Sequence, residues 1–297
     1  MATLKDIQLK IVGVKKTQKI TKAMNMVAAS KLRGAQEKAE AFRPYANKFA
    51  EVLGSLSDRI DADEEHAPPL LVPRAEVKTI DLLLMTSDRG LCGGFNTSLI
   101  IKAEKFMKEK AEQGVDVRLI CMGKKGRDYF RRKKYNIQSE HIGIVGGKFG
   151  FNVAVNAGQE LIDAFLNGET DEARVIFSEF VSMSRQVPTL SQVVPIVGVE
   201  KAEQAQEAEY IAEHICEPPA EELMAEMLPK QVYVQIFRGL LETSTSEHAA
   251  RMAAMDNATT NCGEMITSLS LVYNKARQAA ITADLMDIVG GAEALKG

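Results

Sequence analysis

Apolar residues recur every three and four positions from the start of the chain, at Leu4, Ile7, Ile11, Val14, Ala28, Leu32, Ala35, Ala39, Phe42, Ala46, Phe49, Leu53, Leu56 and Ile60. Gln18, Thr21 and Asn25 occupy the same register and open a polar gap in it. A seam of this period over residues 1–60 predicts one long helix of a coiled coil, roughly 85 Å in length at 1.5 Å per residue. Pro44, which has no N–H, is expected to kink it. The far end repeats the pattern at Met255, Thr259, Cys262, Ile266, Leu269, Tyr273, Ala276, Ala280 and Ala283, and less cleanly backward through Met252, His248, Thr245 and Leu241. A second helix is expected over 229–290, opening at Pro229 and stopped by Gly290 and Gly291. The stretch before it, 200–228, reads as a solvated connector and a short separate helix, "AEELMAEML", after Pro218 and Pro219. Two terminal helices of matching length predict an antiparallel coiled coil, with "TQKITKAMNMVAASK" brought close to "YNKARQAAITADLMDIV".

Between the helices the texture changes. The acidic, proline-containing stretch 61–76 reads as a linker. Over 77–199, strand-like and helix-like runs alternate: Val77–Met85, Asn96–Gln113, Val115–Met122, Lys124–Lys134, Phe151–Asn167, Arg174–Ser182 and Val193–Val199. Alternation of this kind predicts a Rossmann-like α/β domain with a mostly parallel sheet. The fold class expected is therefore α/β plus coiled coil, with the α/β domain inserted between two long terminal helices.

Composition narrows the function. Aromatic residues make up 6% of the 297 residues and tryptophan is absent, as suits long helices better than a compact β core. The formal charge of −3 speaks against a chain built to coat nucleic acid. No apolar run approaches the roughly 20 residues of a membrane span, so no direct membrane insertion is expected. The basic, charge-interrupted N-terminus fits neither a signal peptide nor, given how far its pattern continues, a transit peptide. Cys92, Cys121, Cys216 and Cys262 are widely separated and read as reduced thiols.

The candidate chemistry centres on "TSDRGLCGGFN", which follows a strand and precedes a helix, where many proteins hold a phosphate. Its glycines, Gly90, Gly93 and Gly94, are spaced GxxGG rather than GxGxxG. The next strand carries its acid, Asp116, at the wrong end for a ribose. "GKKG" at Gly123 lacks the rest of a Walker loop. The glycines are better explained by a tight turn, with Asn96 or Thr97 capping the following helix. His66, His141, His214 and His248 are scattered, and Ser87 lacks a nucleophile elbow. No catalytic, cofactor-binding or metal-ligating residue is assigned. The first helix has a basic face, Lys5, Lys10, Lys15, Lys16, Lys19, Lys22, Lys31, Arg33 and Lys38, opposed there by Asp6 and Glu37. That face is either a solubilising surface or a docking surface for acidic partner segments.

"TQKITKAMNMVAASKLR", "SDRGLCGGFN", "SEHAARMAAMDNATTN" and "LVYNKARQAAITADLMDIVGGAEAL" together resemble the gamma subunit of the rotary F-type ATP synthase, in order and from end to end. The resemblance implies a non-catalytic shaft that couples rotation of a membrane c-ring to conformational cycling of catalytic beta subunits. Alpha, beta and epsilon subunits and the c-ring would be its partners, at the cytoplasmic side of a bacterial membrane. It also implies contact with beta subunits through Lys22, Met24, Arg251, Gln278, Thr282 and Asp284, the last in place of a longer glutamate. Arg89 and Cys92 would serve structure or subunit contact. The alternatives are a nucleotide-binding enzyme on the central domain and a coiled-coil or nucleic-acid-binding scaffold.

Overall fold

The computed structural model describes residues 3–57, 68–196 and 219–294. In chain order the elements are α1 (Leu4–Ser57), β1 (Thr79–Met85), α2 (Phe95–Glu112), β2 (Asp116–Met122), α3 (Lys124–Arg132), β3 (Ile137–His141), α4 (Phe151–Leu166), β4 (Glu172–Ser182), β5 (Arg185–Val194) and α5 (Ala220–Ala294). They form two compact units, residues 1–28 with 252–297, and residues 29–251.

The larger unit is built on a five-stranded sheet in the order β3-β2-β1-β4-β5. β1 to β4 run parallel, and β5 returns antiparallel along β4. Side chains of β1 alternate between the two faces, as the pleat requires. Ile80, Leu82 and Leu84 join a core with Leu99, Phe106 and Phe130 from α2 and α3. Leu83 and Met85 join a second core with Leu161 and Phe165 of α4, Leu53 and Leu56 of α1, and Val232, Ile236 and Leu240 of α5. The α4–α5 crossing is close at Gly158, where a Cβ would stand 2.5 Å from the Tyr233 ring.

β3 and the first part of β5 depart from the sequence reading, which placed strands at neither and put one at Val193–Val199, of which 197–199 lie outside the described residues. Both are edge strands and only partly buried, so they need little hydrophobic character, and Pro188 within β5 argues further against a strand. The C-terminal helix also differs. It begins at Ala220, passes through Pro229 and runs beyond Gly290 and Gly291 to Ala294. Met224, Met227, Leu228 and Val232 are buried on either side of Pro229, and this packing offsets the lost hydrogen bond. Similarly, α1 continues through the exposed Pro44.

Within α5 the run Thr243–His248 is polar yet buried. β1 pairs with β4 only as far as Leu84 opposite Ile176, which leaves the far end of β4 open on that side. Side chains of α5 take the place of a strand there. The amide of Ser178 donates to Thr243 Oγ1 (3.2 Å), that of Phe180 to Glu242 Oε2 (2.8 Å), and Ser246 Oγ donates to the Ser178 carbonyl (3.1 Å). Thr243 and Ser246 of the buried polar run, with Glu242 just before it, therefore satisfy backbone groups at this end of β4.

The smaller unit is an antiparallel pair of helices. Gln18 and Thr21 of α1 bond to Thr259 of α5, and Asn25 bonds to Met252, so the partner number falls as the α1 number rises. Ile7, Thr21 and Ala28 are buried, and Leu4, Ile11, Val14, Gln18 and Asn25 half-buried, in keeping with the expected seam. On α5 the inward positions are Met255, Thr259, Cys262, Ile266, Leu269, Tyr273, Ala276 and Ala280. From Ile281 to Ala292 every residue is exposed, Ala283 included, so the seam ends one turn earlier than the sequence predicts.

Candidate functional site

The coil presents three kinds of surface. Lys5, Lys10, Lys15, Lys16, Lys19 and Lys22 are all exposed on α1, with Met24 half-buried beside them. The end of α5 carries Gln278, Thr282 and Asp284, each exposed. The Thr282 hydroxyl donates to the Gln278 carbonyl of its own helix (2.9 Å). Ile281, Leu285, Met286, Ile288 and Val289 surround them, each more than half exposed. This apolar, uncovered helix end is what a partner could grip.

The polar gap in the seam is the third kind, and it is turned inward. Gln18 Nε2 donates to the Thr259 carbonyl (3.4 Å), the Thr21 and Thr259 hydroxyls are 2.7 Å apart, and Asn25 Nδ2 donates to the Met252 carbonyl (2.9 Å). These partners lie in the stretch 252–259, before the "YNKARQ" segment expected opposite them. The heptad pattern gives the helix face but not the axial alignment, so this offset was hidden in the sequence. Thr17, by contrast, is exposed and bonds back to Gly13.

Arg251 belongs to the larger unit. Its guanidinium is 12% exposed and donates to Glu247 Oε1 (2.7 Å) and to the Gly90 carbonyl (3.3 Å), tying α5 to the glycine loop. Glu247 Oε2 and His248 Nδ1 stand 3.5 Å apart. Gly146 meets this carboxylate so closely that a Cβ there would lie 2.7 Å from Oε2, and Lys31 Nζ reaches the Gly146 carbonyl (3.4 Å). Burial, Arg251 and Lys31 together push the His248 imidazole down to about 4. No metal or nucleotide motif in the sequence marked this cluster. The only signal was "SEH" on the inward face of a helix.

The glycine loop is bonded within the chain. At the start of α3 the amide of Lys124 donates to Asp88 Oδ1 (3.0 Å), that of Lys125 to the Ser87 carbonyl (3.1 Å) and that of Gly126 to Thr86 Oγ1 (2.9 Å). Asp88 Oδ1 also takes the Gly143 amide (3.0 Å). The amides that a phosphate would need at this helix end are thus occupied by loop oxygens. Asn96 does not cap α2. Its side chain bonds the Ser87 amide and hydroxyl, and Gly94 holds the cap position without a side-chain bond. Thr97 is exposed. Gly93 (φ 58°) and Leu91 (φ 63°) take left-handed backbone, which accounts for one glycine and leaves Leu91 projecting, 64% exposed. Arg89 is exposed, whereas Cys92 is buried and its thiol is pushed up by burial, away from nucleophilic thiolate. Cys121 is pushed up to about 12 for the same reason.

A polar pocket on the α4 face of the sheet is lined by Asp81, Arg118, Gln138, Glu160, Asp163 and Glu169, among others. Its floor is the cross-strand pair Asp81–Arg118, a two-bond fork of 2.7 and 2.8 Å. Burial pushes the Asp81 carboxyl up, while Arg118 opposes that shift.

The family model described as ATP synthase matches residues 3–295. The chain is 59% identical over 301 residues to the ATP synthase gamma chain of Desulfosudis oleivorans, covering all of both chains. It is 54% identical to those of Desulforapulum autotrophicum, covering 99% of this chain and all of the relative, and of Nitratidesulfovibrio vulgaris, covering all of both. Among solved structures, a chain of the Euglena gracilis mitochondrial ATP synthase (OSCP, F1 and c-ring) superposes with a TM-score of 0.65 at 17% identity, covering 98% of this chain and 94% of that one. A chain of the Tetrahymena thermophila mitochondrial central stalk and c-ring gives 0.59 at 23%, covering 80% and 99%. At these identities the two structures speak for the fold.

Proposed function

This chain belongs to the ATP synthase family as a gamma chain, and from that premise we propose that it is the central shaft of a rotary enzyme. Turned from the membrane side, it biases the catalytic sites of surrounding beta subunits among their conformations. A shaft can do this only if it contacts those conformations with different free energies, because equal contact shifts no population. The observation that carries the reading is the end of α5. A helix whose residues from Ile281 to Ala292 are exposed on every side, with Leu285, Met286, Ile288 and Val289 among them, is built to be enclosed by something else.

In this reading Gln278, Thr282 and Asp284 on α5, with Lys22 and Met24 on α1, meet the beta subunits. Arg251 joins them through the loop that it holds at Gly90. The lysines of α1 supply the long-range attraction toward acidic segments of the sleeve. Epsilon and the c-ring are the partners at the other end, and the chain carries no catalytic site or cofactor of its own. Among the described residues no helix is long and apolar enough to cross a membrane, so attachment at the cytoplasmic face of a bacterial membrane is proposed to run through the partners. The amides at the start of α3, taken by Asp88 and Thr86 of the glycine loop, weigh against a phosphate held at the "GKKG" turn.

The test is reconstitution with purified cognate alpha and beta subunits. The chain alone should hydrolyse no ATP, and its addition should yield a stable complex with high ATPase activity. Failure to assemble or stimulate would overturn the shaft reading.

A further inference from the structure

α3 is strongly basic, and two of its features run against its own stability. The run 124–134, "KKGRDYFRRKK", holds seven basic residues against the single acid Asp128, in a chain whose net charge is −3. Lys124 and Lys125 stand in the first turn, which holds no acid, although the partial positive charge of a helix N-terminus favours one. At the other end α2, α3 and α4 close with the same pair of amide-to-carbonyl bonds. These are Gly114 to Ala111 with Val115 to Lys110, Lys134 to Arg131 with Tyr135 to Phe130, and Gly168 to Phe165 with Glu169 to Ala164. α2 and α4 place a glycine at the left-handed position (φ 77° and 73°), where the Cβ of any other residue is crowded. α3 places Lys134 there, at φ 59°.

The charge kept at this cost is not answered within the described residues. Glu104 is held by Lys133 Nζ (2.6 Å) and the Tyr129 hydroxyl (3.1 Å), and its side chain is 16% exposed. Asp128 is held by Arg127 (2.7 Å) and Glu140 by Arg131 (2.6 Å). With these acids engaged, Lys124, Lys125, Arg132 and Lys134 are all exposed and enter no ion pair among the described residues. Lys124 with Arg131, and Lys125 with Arg132, are seven positions apart and so share one side of the helix. No large apolar side chain of 124–135 is exposed: Phe130 is buried, and Tyr129 and Tyr135 are half-buried.

We propose that α3 and Lys134 form a docking face for an acidic segment of a partner protein, joined by charge alone. Exposed ion pairs are individually weak, and permanent interfaces carry an apolar centre that this face lacks. The contact therefore forms quickly and releases readily. A solubilising face has no need of cations in the first turn, or of a lysine where glycine is less strained. An anionic lipid surface fits less well, because the chain as a whole is negative and α3 has no exposed aromatic or aliphatic group to insert. The partner is a subunit of the assembly proposed above, so this step rests on that reading.

The experiment places a benzophenone side chain at position 128, between Lys124 and Arg132, in the full chain. The chain is assembled with cognate alpha, beta and epsilon subunits beside phosphatidylglycerol vesicles and irradiated, and the captured molecule is identified by mass spectrometry. The expected product is a segment of another subunit in which Asp and Glu outnumber Lys and Arg, with a yield that falls several-fold as salt is raised to about 0.5 M. K124Q/K125Q/R132Q/K134Q should lose the product while assembling and turning over ATP as the parent does. K134G should raise the melting temperature of the chain, by relieving the left-handed lysine, and yet lower the yield. It serves alone if the fourfold variant does not fold. A chain that does not assemble overturns the shaft reading and this inference with it. An assembled, active complex that captures nothing, lipid, a segment without acidic excess or the chain's own residues overturns this inference alone, as does an unchanged yield in either variant.

Discussion

The hydroxyls of Thr21 and Thr259 meet at 2.7 Å across the coil, although each belongs to a side chain that already reaches a carbonyl of its own helix. Polar residues in a coiled-coil seam lend themselves to two readings, an outward contact or an inward bond. Here the neighbours decide. Lys22 is exposed and Thr21 is buried, one position apart, so the helix separates a face that bonds inward from a face left for solvent or a partner. The exposed residues proposed to meet the beta subunits, Lys22, Gln278, Thr282 and Asp284, should consequently be dispensable for folding.

Replacing Gln278 and Thr282 together by alanine tests that separation. Both are exposed, and the only bond recorded between them is local, from the Thr282 hydroxyl to the Gln278 carbonyl. Thermal stability of the chain should change by no more than about 0.5 kcal/mol, the usual scale for surface substitutions. Assembly with alpha and beta subunits should persist while steady-state ATP turnover falls several-fold. Normal turnover in a poorly assembled enzyme would reverse the assignment.

The sequence showed most clearly what rests on repetition. The seam from Leu4 to Leu56 was readable because every position in that register is buried or half-buried on one face of a long helix. β1 and β2 were readable as apolar runs. What escaped was structure fixed by relationships rather than composition. Ile137–His141 becomes a strand because β2 offers a free edge, not because "IQSEH" favours one. Thr245 and His248 fall on the expected seam, but Thr243, Ser244, Ser246 and Glu247 fall outside it and are buried as well, where α5 lies against the end of β4 that β1 leaves open. Asn96 has the composition of a helix cap and instead braces the loop through Ser87. The proposed contact residues entered through resemblance, since nothing in their local pattern distinguishes Gln278 from any exposed glutamine.

Asp81 and Arg118 make a buried fork whose value lies in its being complete. Arg118→Leu leaves the Asp81 carboxylate, 1% exposed, without its cation and should cost about 3–5 kcal/mol at neutral pH. Asp81→Leu with Arg118→Leu should recover most of that loss. In the single variant burial holds the folded carboxyl above its unfolded value, so the charged form is penalised in the folded state. The deficit should therefore be full above the raised folded value and shrink as pH falls from there toward the unfolded carboxylate pKa of about 4. Denaturant titrations of the two variants across pH 3.5–7 would check both the size and the sign.

His248 predicts an acid sensitivity of opposite origin. The groups facing it are Glu247, Arg251 and Lys31, and with burial they leave the folded imidazole protonating near 4, against about 6.5 when unfolded. Between these values the unfolded chain binds the additional proton. The stability contribution is thus complete above pH 6.5 and is lost as pH falls toward 4, by an amount on the order of 3 kcal/mol at most. His248→Gln, which cannot ionise, should flatten that part of the stability–pH curve. An unchanged slope would assign the acid sensitivity to carboxylates elsewhere.

The glycine loop makes its prediction through Gly123, at the junction of β2 and α3. This residue adopts φ 109°, and a Cβ would fall 2.0 Å from the Thr86 carbonyl oxygen and 2.9 Å from Thr86 Oγ1. Thr86 belongs to the same brace that takes the Gly126 amide, so it cannot withdraw without unfastening the start of α3. Gly123→Ala should therefore destabilise the chain by more than about 4 kcal/mol, combining backbone strain with the loss of a buried bond. Gly90→Ala is the control, since its Cβ would meet only the flexible end of Lys125 at 3.6 Å. It should fold normally. If both substitutions were equally tolerated, the brace between the loop and α3 would not be a fixed part of the fold, and the α3 amides of Lys124 and Gly126 would be open to an anion.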